Sequence, residues 1–350
     1  FLARWLSTLE GSKRKALLFF SIAYGLSFLL YFKYSNFVIT NINTLFETKF
    51  TTKTLFLPIG ISFYTFQSLS YLIDVYRKEI EPSKKILDYG FYMTFFPHLV
   101  AGPIVRAKDF LPQIKNPLIF DQTLLKESLL RITTGLVKKL LIADFLGKYV
   151  DLIHDAPSGF SGLEHALAMY AYSFQIYFDF SGYSDIAIGI ALILGYRMKE
   201  NFFNPYTAEN ITVFWRKWHI TLTTWFRDYI YYPLGGNRVS KAKWFVAVTL
   251  VFIVSGVWHG AQWTFIIWGA LHGIITVLEK LLSLDRKSNN NVINLLKGML
   301  TFVMVTLLWV FFRSPDLESA AAFFEGILVN TNNAFVLPDV ETWILVGLFF

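Results

Sequence analysis

Seven apolar stretches recur along this chain, at positions 17–34, 55–76, 129–153, 166–194, 244–258, 264–282 and 292–312, and another opens at Trp343. A bilayer core about 30 Å thick takes ~20 apolar residues to cross as a helix, and most of these stretches are long enough. With 54% of residues hydrophobic, 16% charged and a mean hydropathy of +0.45, the chain has no soluble way to hide its surface. The expectation is an all-α, polytopic membrane protein. Its 350 residues have room for about ten spans of ~20 residues with short connections, packed as a single domain over 1–350. The chain opens on Phe1 and stops on Phe350 inside an apolar run, which reads as truncation at both ends.

Charge and cysteine content narrow the chemistry. There are no cysteines, so disulfides, thiolate metal sites and a cysteine acyl-enzyme are excluded. A net charge of +7 would point a soluble protein toward nucleic acid. Here the basic residues cluster at the ends of apolar segments, as topology signals do, and the bilayer rather than nucleic acid is the expected partner. Lysine and arginine bias puts 13–15, 77–85, 106–115, 197–217, 238–243 and 280–287 on the cytoplasmic side. That orientation requires 91–105, broken by Pro97, Gly102 and Pro103, and 210–234 to be re-entrant or interfacial. Lys138 and Lys139 lie inside an expected span and fit poorly.

Four regions carry chemistry. In FWRKWHITLTTWFRDYIYYPLGGNR (214–238), a single helix would align Trp215, Trp218, Leu222, Trp225, Tyr229 and Tyr232 as one aromatic stripe, with Lys217, Thr221, Thr224 and Asp228 on another face. Arg216, Lys217 and Arg227 suit the polar side of an interfacial helix. His219 would project from its apolar side, where an ionisable group is costly and usually functional. In SGVWHGAQWTFIIWGALHG (255–273), Gly256 and Gly260 flank His259 and thin the helix, for a packing neighbour or for a substrate. A neutral imidazole is suited to take a proton from an alcohol, so His259 is the leading general base, and His272 reads as structural.

The third region, 174–196, sets Asp179 and Asp185 in a span with Gln175, Ser181 and Ser184, so this helix must face protein or water. The two aspartates bond to freed backbone or form a relay. The fourth, FFPHLVAGPIVR (95–106), opens the backbone at membrane depth, with His98 as a loop hydrogen-bonder. No two of the six histidines have metal-ligand spacing with a carboxylate on one helix, so no metal is expected. Without a GxSxG, a phosphate loop or a dinucleotide fingerprint, soluble-type hydrolases and ATPases are excluded.

Taken in order, FDFSGYSDIAIG, ENFFNPY, FWRKWHITLTTWFRDYIYYPLGGNR and SGVWHGAQWTFIIWG resemble the membrane-bound O-acyltransferase (MBOAT) superfamily. GPIVRAKDFLPQI and PLGGNR resemble its alginate O-acetylase branch more than its D-alanyl-lipoteichoic acid branch. The resemblance implies a ring of transmembrane helices around a thinned, tunnelled centre in the bacterial inner membrane. It implies catalysis by His259, with His219 as a second important position. Trp258, Arg216, Trp218, Arg227, Asp228, Asn237, Asp179 and Asp185 stand in the same motifs as candidates for positioning donor or substrate. No tightly bound cofactor is expected. The donor would be acetyl-CoA or an acyl-carrier thioester, and the acceptor a hydroxyl of an extracytoplasmic polysaccharide or of a partner acetyltransferase. A D-alanyl or long-chain lipid acyltransferase and, outside enzymes, an ion or solute transporter are the competing readings.

Overall fold

The computed structural model describes residues 1–116, 121–329 and 346–347, and it contains helices and no strands among them. The apolar segment opening at Trp343 falls largely outside the described residues. Five helices are long and apolar enough to cross a membrane: Gly11–Phe46, Gly162–Ile193, Lys241–His259, Trp263–Leu281 and Asn291–Arg313. Two expected spans are not among them. The 55–76 stretch is helical only over Ile61–Tyr76, because Gly60 enters at a φ of +76° and caps it. The stretch containing 129–153 is helical but carries Lys138, Lys139, Asp144 and Lys148.

The chain divides into two compact units: 1–128 with 187–199, and 129–186 with 200–350. The first unit holds α1 (Leu2–Thr8) and α2 (Gly11–Leu29). A π-helical turn, Leu30–Tyr34, then leads into α3 (Ser35–Phe46, 12 residues), so the first helix continues well past the end of the 17–34 apolar stretch. There follow α4 (Ile61–Tyr76), α5 (Ile86–Thr94) and α6 (Ala107–Lys115). Between α5 and α6 the backbone makes one 3-10 turn at Phe96–His98 and is otherwise irregular, as Pro97, Gly102 and Pro103 require. The core of this unit is aromatic, with Phe110 stacked on Tyr196 at 4.9 Å and Phe95 5.0 Å from Phe110.

In the second unit, α7 (Gln122–Leu136, from Leu129 on) passes through a second π-helical stretch, Val137–Ala143, into α8 (Asp144–Asp155). Then come α9 (Gly162–Ile193), α10 (Ile211–Lys217), α11 (Ile220–Phe226), α12 (Lys241–His259), α13 (Trp263–Leu281), α14 (Asn291–Arg313) and α15 (Leu317–Val329). The last turns of α9, from Ala187, group with the first unit. α12 and α13 form a hairpin whose backbones touch at Gly256 and Gly269. A Cβ at either would collide with the carbonyl oxygen of Phe265 or Phe252, so the small residues of the WHG region serve helix packing.

The misfit charges of the sequence resolve one another. Lys139 pairs with Asp179 and Asp144, Lys138 pairs with Asp185 at 2.7 Å, and Arg131 bridges Asp185 and Glu200. Two lysines that fit no span and two aspartates that fit no lipid face are thus each other's partners, the Lys138–Asp185 pair largely covered and the Lys139–Asp179 pair open at the surface. The aspartates bond to cationic side chains rather than to backbone freed by the re-entrant loops.

Candidate functional site

The single helix expected over 214–238 is broken at its histidine. Asn210 caps α10, its side-chain oxygen accepting from the Val213 amide at 2.8 Å. After Lys217 the chain extends at Trp218, and His219 takes a left-handed conformation (φ 42°, ψ 53°) as the N-cap of α11. Such a conformation costs a non-glycine residue about 1–3 kcal/mol and persists only where neighbours over-determine it. Here the segment before α10 does so. The Phe203 amide donates to the Lys217 carbonyl at 2.9 Å, and the Ile220 amide donates to the Asn201 carbonyl at 2.8 Å. The backbone groups released by the break are thereby satisfied. The proposed aromatic stripe is consequently split between two short helices at an angle set by the turn.

The same contact fixes the chemistry of His219. Its Nδ1 lies 3.0 Å from Asn201 Oδ1, which also accepts from Thr221 Oγ1 at 2.8 Å and from the Thr221 amide at 3.3 Å. The Asn201 amide nitrogen donates to Ser184 Oγ at 3.2 Å. With the amide's oxygen end turned to three donors, Nδ1 must carry the imidazole proton, and Nε2 presents a lone pair. That Nε2 is buried and has no hydrogen-bond partner among the described residues. The ring is 1% exposed and is wedged against Phe180 and Phe202. Burial drives its pKa well below the usual histidine range, and nearby His259 pushes in the same direction, so the ring is held neutral.

Trp258 links the two histidines, its ring 6.3 Å from that of His219 and 4.9 Å from that of His259. His259 ends α12 inside an aromatic cage, with Phe312 at 5.0 Å, Trp268 at 5.3 Å and Phe265 at 6.4 Å. It is partly exposed, unlike His219. His272 sits deeper in the same aromatic layer, where the Trp215 indole donates to its Nδ1 at 3.3 Å and Trp215 and Trp268 each pack 5.0 Å away.

A cavity of about 570 Å³ opens beside α11 and brings together three of the expected positioning residues, Arg216, Arg227 and Asn237, with Trp215, Trp244 and Lys280. A relay orders one wall: the Trp244 indole donates to Tyr231 Oη at 2.8 Å, and that hydroxyl donates to Asn237 Oδ1 at 2.6 Å. Lys280 is countered within the same lining by Asp285, at 2.8 Å. The other candidates lie elsewhere. Asp228 is engaged by Arg227 at 2.8 Å. Trp218 packs into the core between Phe202, Phe214 and Trp309. Asp179 and Asp185 are held in the lysine and arginine pairs described above. Among the described residues no group of three or more His, Cys, Asp or Glu side chains is placed to hold a metal.

Asn201 is the residue that sequence reading passes over. It lies in the ENFFNPY run, and its signal is faint: an asparagine next to two phenylalanines, in a segment with no helical periodicity.

Two histidines thus meet across one tryptophan in a helical chain with five helices long and apolar enough to cross a membrane. The chain belongs to the membrane-bound O-acyltransferase family, whose model matches residues 25–314. It is 41% identical over 314 residues to the "probable alginate O-acetylase AlgI" of Pseudomonas aeruginosa, covering 89% of this chain and 60% of that protein. It is 37% identical over 348 residues to the peptidoglycan O-acetyltransferase of Helicobacter pylori, covering 92% and 66% respectively. A teichoic acid D-alanyltransferase of Bacillus subtilis is 31% identical over 230 residues, 62% of this chain and 57% of the relative. The chain spans about three fifths of the length of the alginate O-acetylases it matches.

Proposed function

We propose that this chain forms the catalytic body of an O-acetyltransferase of the bacterial inner membrane, both units serving one MBOAT domain. The acetyl group would come from a cytoplasmic thioester, acetyl-CoA or an acyl carrier. It would pass to a hydroxyl of an extracytoplasmic polysaccharide or of a partner acetyltransferase. The observation that carries this reading is the pair of imidazoles flanking Trp258, one partly exposed and one buried with a fixed tautomer.

In this reaction His259 removes the proton from the acceptor hydroxyl as its oxygen bonds to the thioester carbonyl carbon. The carbon–sulfur bond then breaks, and the thiolate leaves and recovers the proton from the imidazolium. His219 cannot polarise the carbonyl as a neutral ring whose proton sits on Nδ1, because Nε2 then has only a lone pair. Its role is to accept a hydrogen bond that positions the reactants. Arg216, Arg227 and Lys280 line the cavity together with Asp285, which pairs with Lys280 at 2.8 Å, and the donor's phosphates would be a further partner for these cations.

The test is His259→Ala in the full-length protein, in cells that make the acceptor. O-acetyl content should fall to background at unchanged protein level, and retained acetylation would overturn the assignment of the base. With purified protein, acetyl-CoA should outcompete palmitoyl-CoA; the reverse order would identify a long-chain enzyme.

A further inference from the structure

A groove of about 540 Å³ runs along the first unit between α2 and α4. Its floor is buried, with Ser21 1%, Ile61 2%, Thr65 4% and Leu69 4% exposed. Its rim is open, with Tyr24 53% and Phe28 45% exposed. These rim residues belong to the span Gly11–Phe46, whose 18-residue apolar window is 17% buried, so most of that stretch is left open for lipid to cover. From Ser21 to Phe32 the helical wall is about 16 Å long at ~1.5 Å per residue, roughly one leaflet of hydrocarbon.

The two ends differ in chemistry. Arg4, Ser83 and Lys85 line one end, where the Arg4 guanidinium donates to the Ser83 and Lys84 carbonyls and the Ser83 amide donates to Tyr71 Oη at 2.8 Å. Phe28, Phe32 and Ile61 line the other. No carboxylate faces the groove among the described residues. A slot whose lining cations, Arg4 and Lys85, stand at one end, and whose remaining wall is mainly apolar and aromatic with the neutral hydroxyls of Ser21, Thr65 and Ser68, matches a lipid whose headgroup is an anion.

We propose that this groove binds one anionic glycerophospholipid, with an acyl chain along α2 and α4 and its phosphate at the Arg4–Lys85 end. The site is separate from the acyl-transfer chemistry, and it stands or falls independently of it. The positive end lies in the part of the chain whose lysines and arginines mark the cytoplasmic side, where anionic lipid is available.

Native mass spectrometry of the full-length protein, released from vesicles of phosphatidylglycerol or phosphatidylcholine, tests this. Phosphatidylglycerol should be retained at least tenfold more than phosphatidylcholine. Arg4→Glu with Lys85→Glu should abolish that preference, whereas Lys241→Glu with Lys243→Glu, at the start of α12, should leave it intact. In the unmodified protein, a phosphatidylglycerol with a photoreactive acyl chain should label 21–32 and 61–72. Equal retention of the two lipids overturns the proposal, as does a preference that survives the Arg4 and Lys85 reversals. So does label that misses the groove because other chain or a second copy fills it.

Discussion

The two units each bury a histidine among aromatic rings, and the two histidines are prepared for different things. His98 in the first unit is 0% exposed and His219 in the second is 1% exposed. His98 sits within 6.3 Å of the rings of Tyr92, Phe95 and Phe110, and neither of its ring nitrogens has a well-formed hydrogen bond among the described residues. The Tyr92 backbone is its weak polar partner, so the hydrogen-bonding expected of a histidine beside Pro97 is present but poorly formed. His219 has one nitrogen committed to Asn201 and the other held open. Burial alone thus does not mark a reactive imidazole. What separates the two is a polar neighbour, itself oriented by Ser184 and Thr221, that decides where the proton resides.

The comparison is broken most forcefully at the proposed general base. His259→Ala should cost roughly 10²–10⁴-fold in acyl transfer, the usual contribution of a general base. Next in size is Asn201→Ala, which frees the His219 tautomer and should reduce turnover roughly 10–100-fold. Asn201→Asp sharpens the point through pH. A carboxylate beside Nδ1 favours the imidazolium and raises the His219 pKa, so the acid-side loss of activity should move to higher pH. A merely structural Asn201 would lower activity or stability without moving that limb, and an unshifted profile would remove the proposed role.

The helices were legible in the sequence wherever hydropathy alone decides, as in 264–282 and 292–312, which the structure forms as Trp263–Leu281 and Asn291–Arg313. The two histidines stood out because a titratable ring among tryptophans is costly in a membrane. Their mutual setting did not. The Trp215, Trp218, Leu222, Trp225 spacing continues unbroken through His219, and the turn there is imposed by residues 201–203, outside the motif. The same limit hid the partners of Asp179 and Asp185. Each charge read as a misfit in its own segment, and the Lys138–Asp185 pair joins positions 47 residues apart.

Asp185→Asn should act on stability and leave chemistry nearly alone. Lys138 and Arg131 both lean on this carboxylate, whose side chain is 15% exposed, and neutralising it weakens two partly buried pairs at once. A loss of ~1 kcal/mol would lower the thermal midpoint by about 2–4 °C for a body of this size. Acetylation per folded molecule should stay close to wild type. A collapse in turnover at normal stability would instead place Asp185 in the reaction.

The smallest expected effect on activity is at His98, and there the contrast between the units becomes a matter of sign. Burial pushes this imidazole down to about 4, against a weaker upward pull from the Tyr92 backbone. An unfolded histidine titrates near 6.5, so below that pH the unfolded chain takes up a proton that the native ring refuses. The native state keeps its full stability above about 6.5 and loses it progressively as pH falls toward 4, a cost of about 3 kcal/mol in all. His98→Leu removes the titrating group while keeping an apolar side chain in the aromatic pocket. Its thermal midpoint should fall less than wild type between pH 6.5 and 4, with acetyl transfer at neutral pH unchanged. A parallel fall in both proteins would mean that His98 finds a proton partner in the folded membrane protein, and the distinction between the two buried histidines would close.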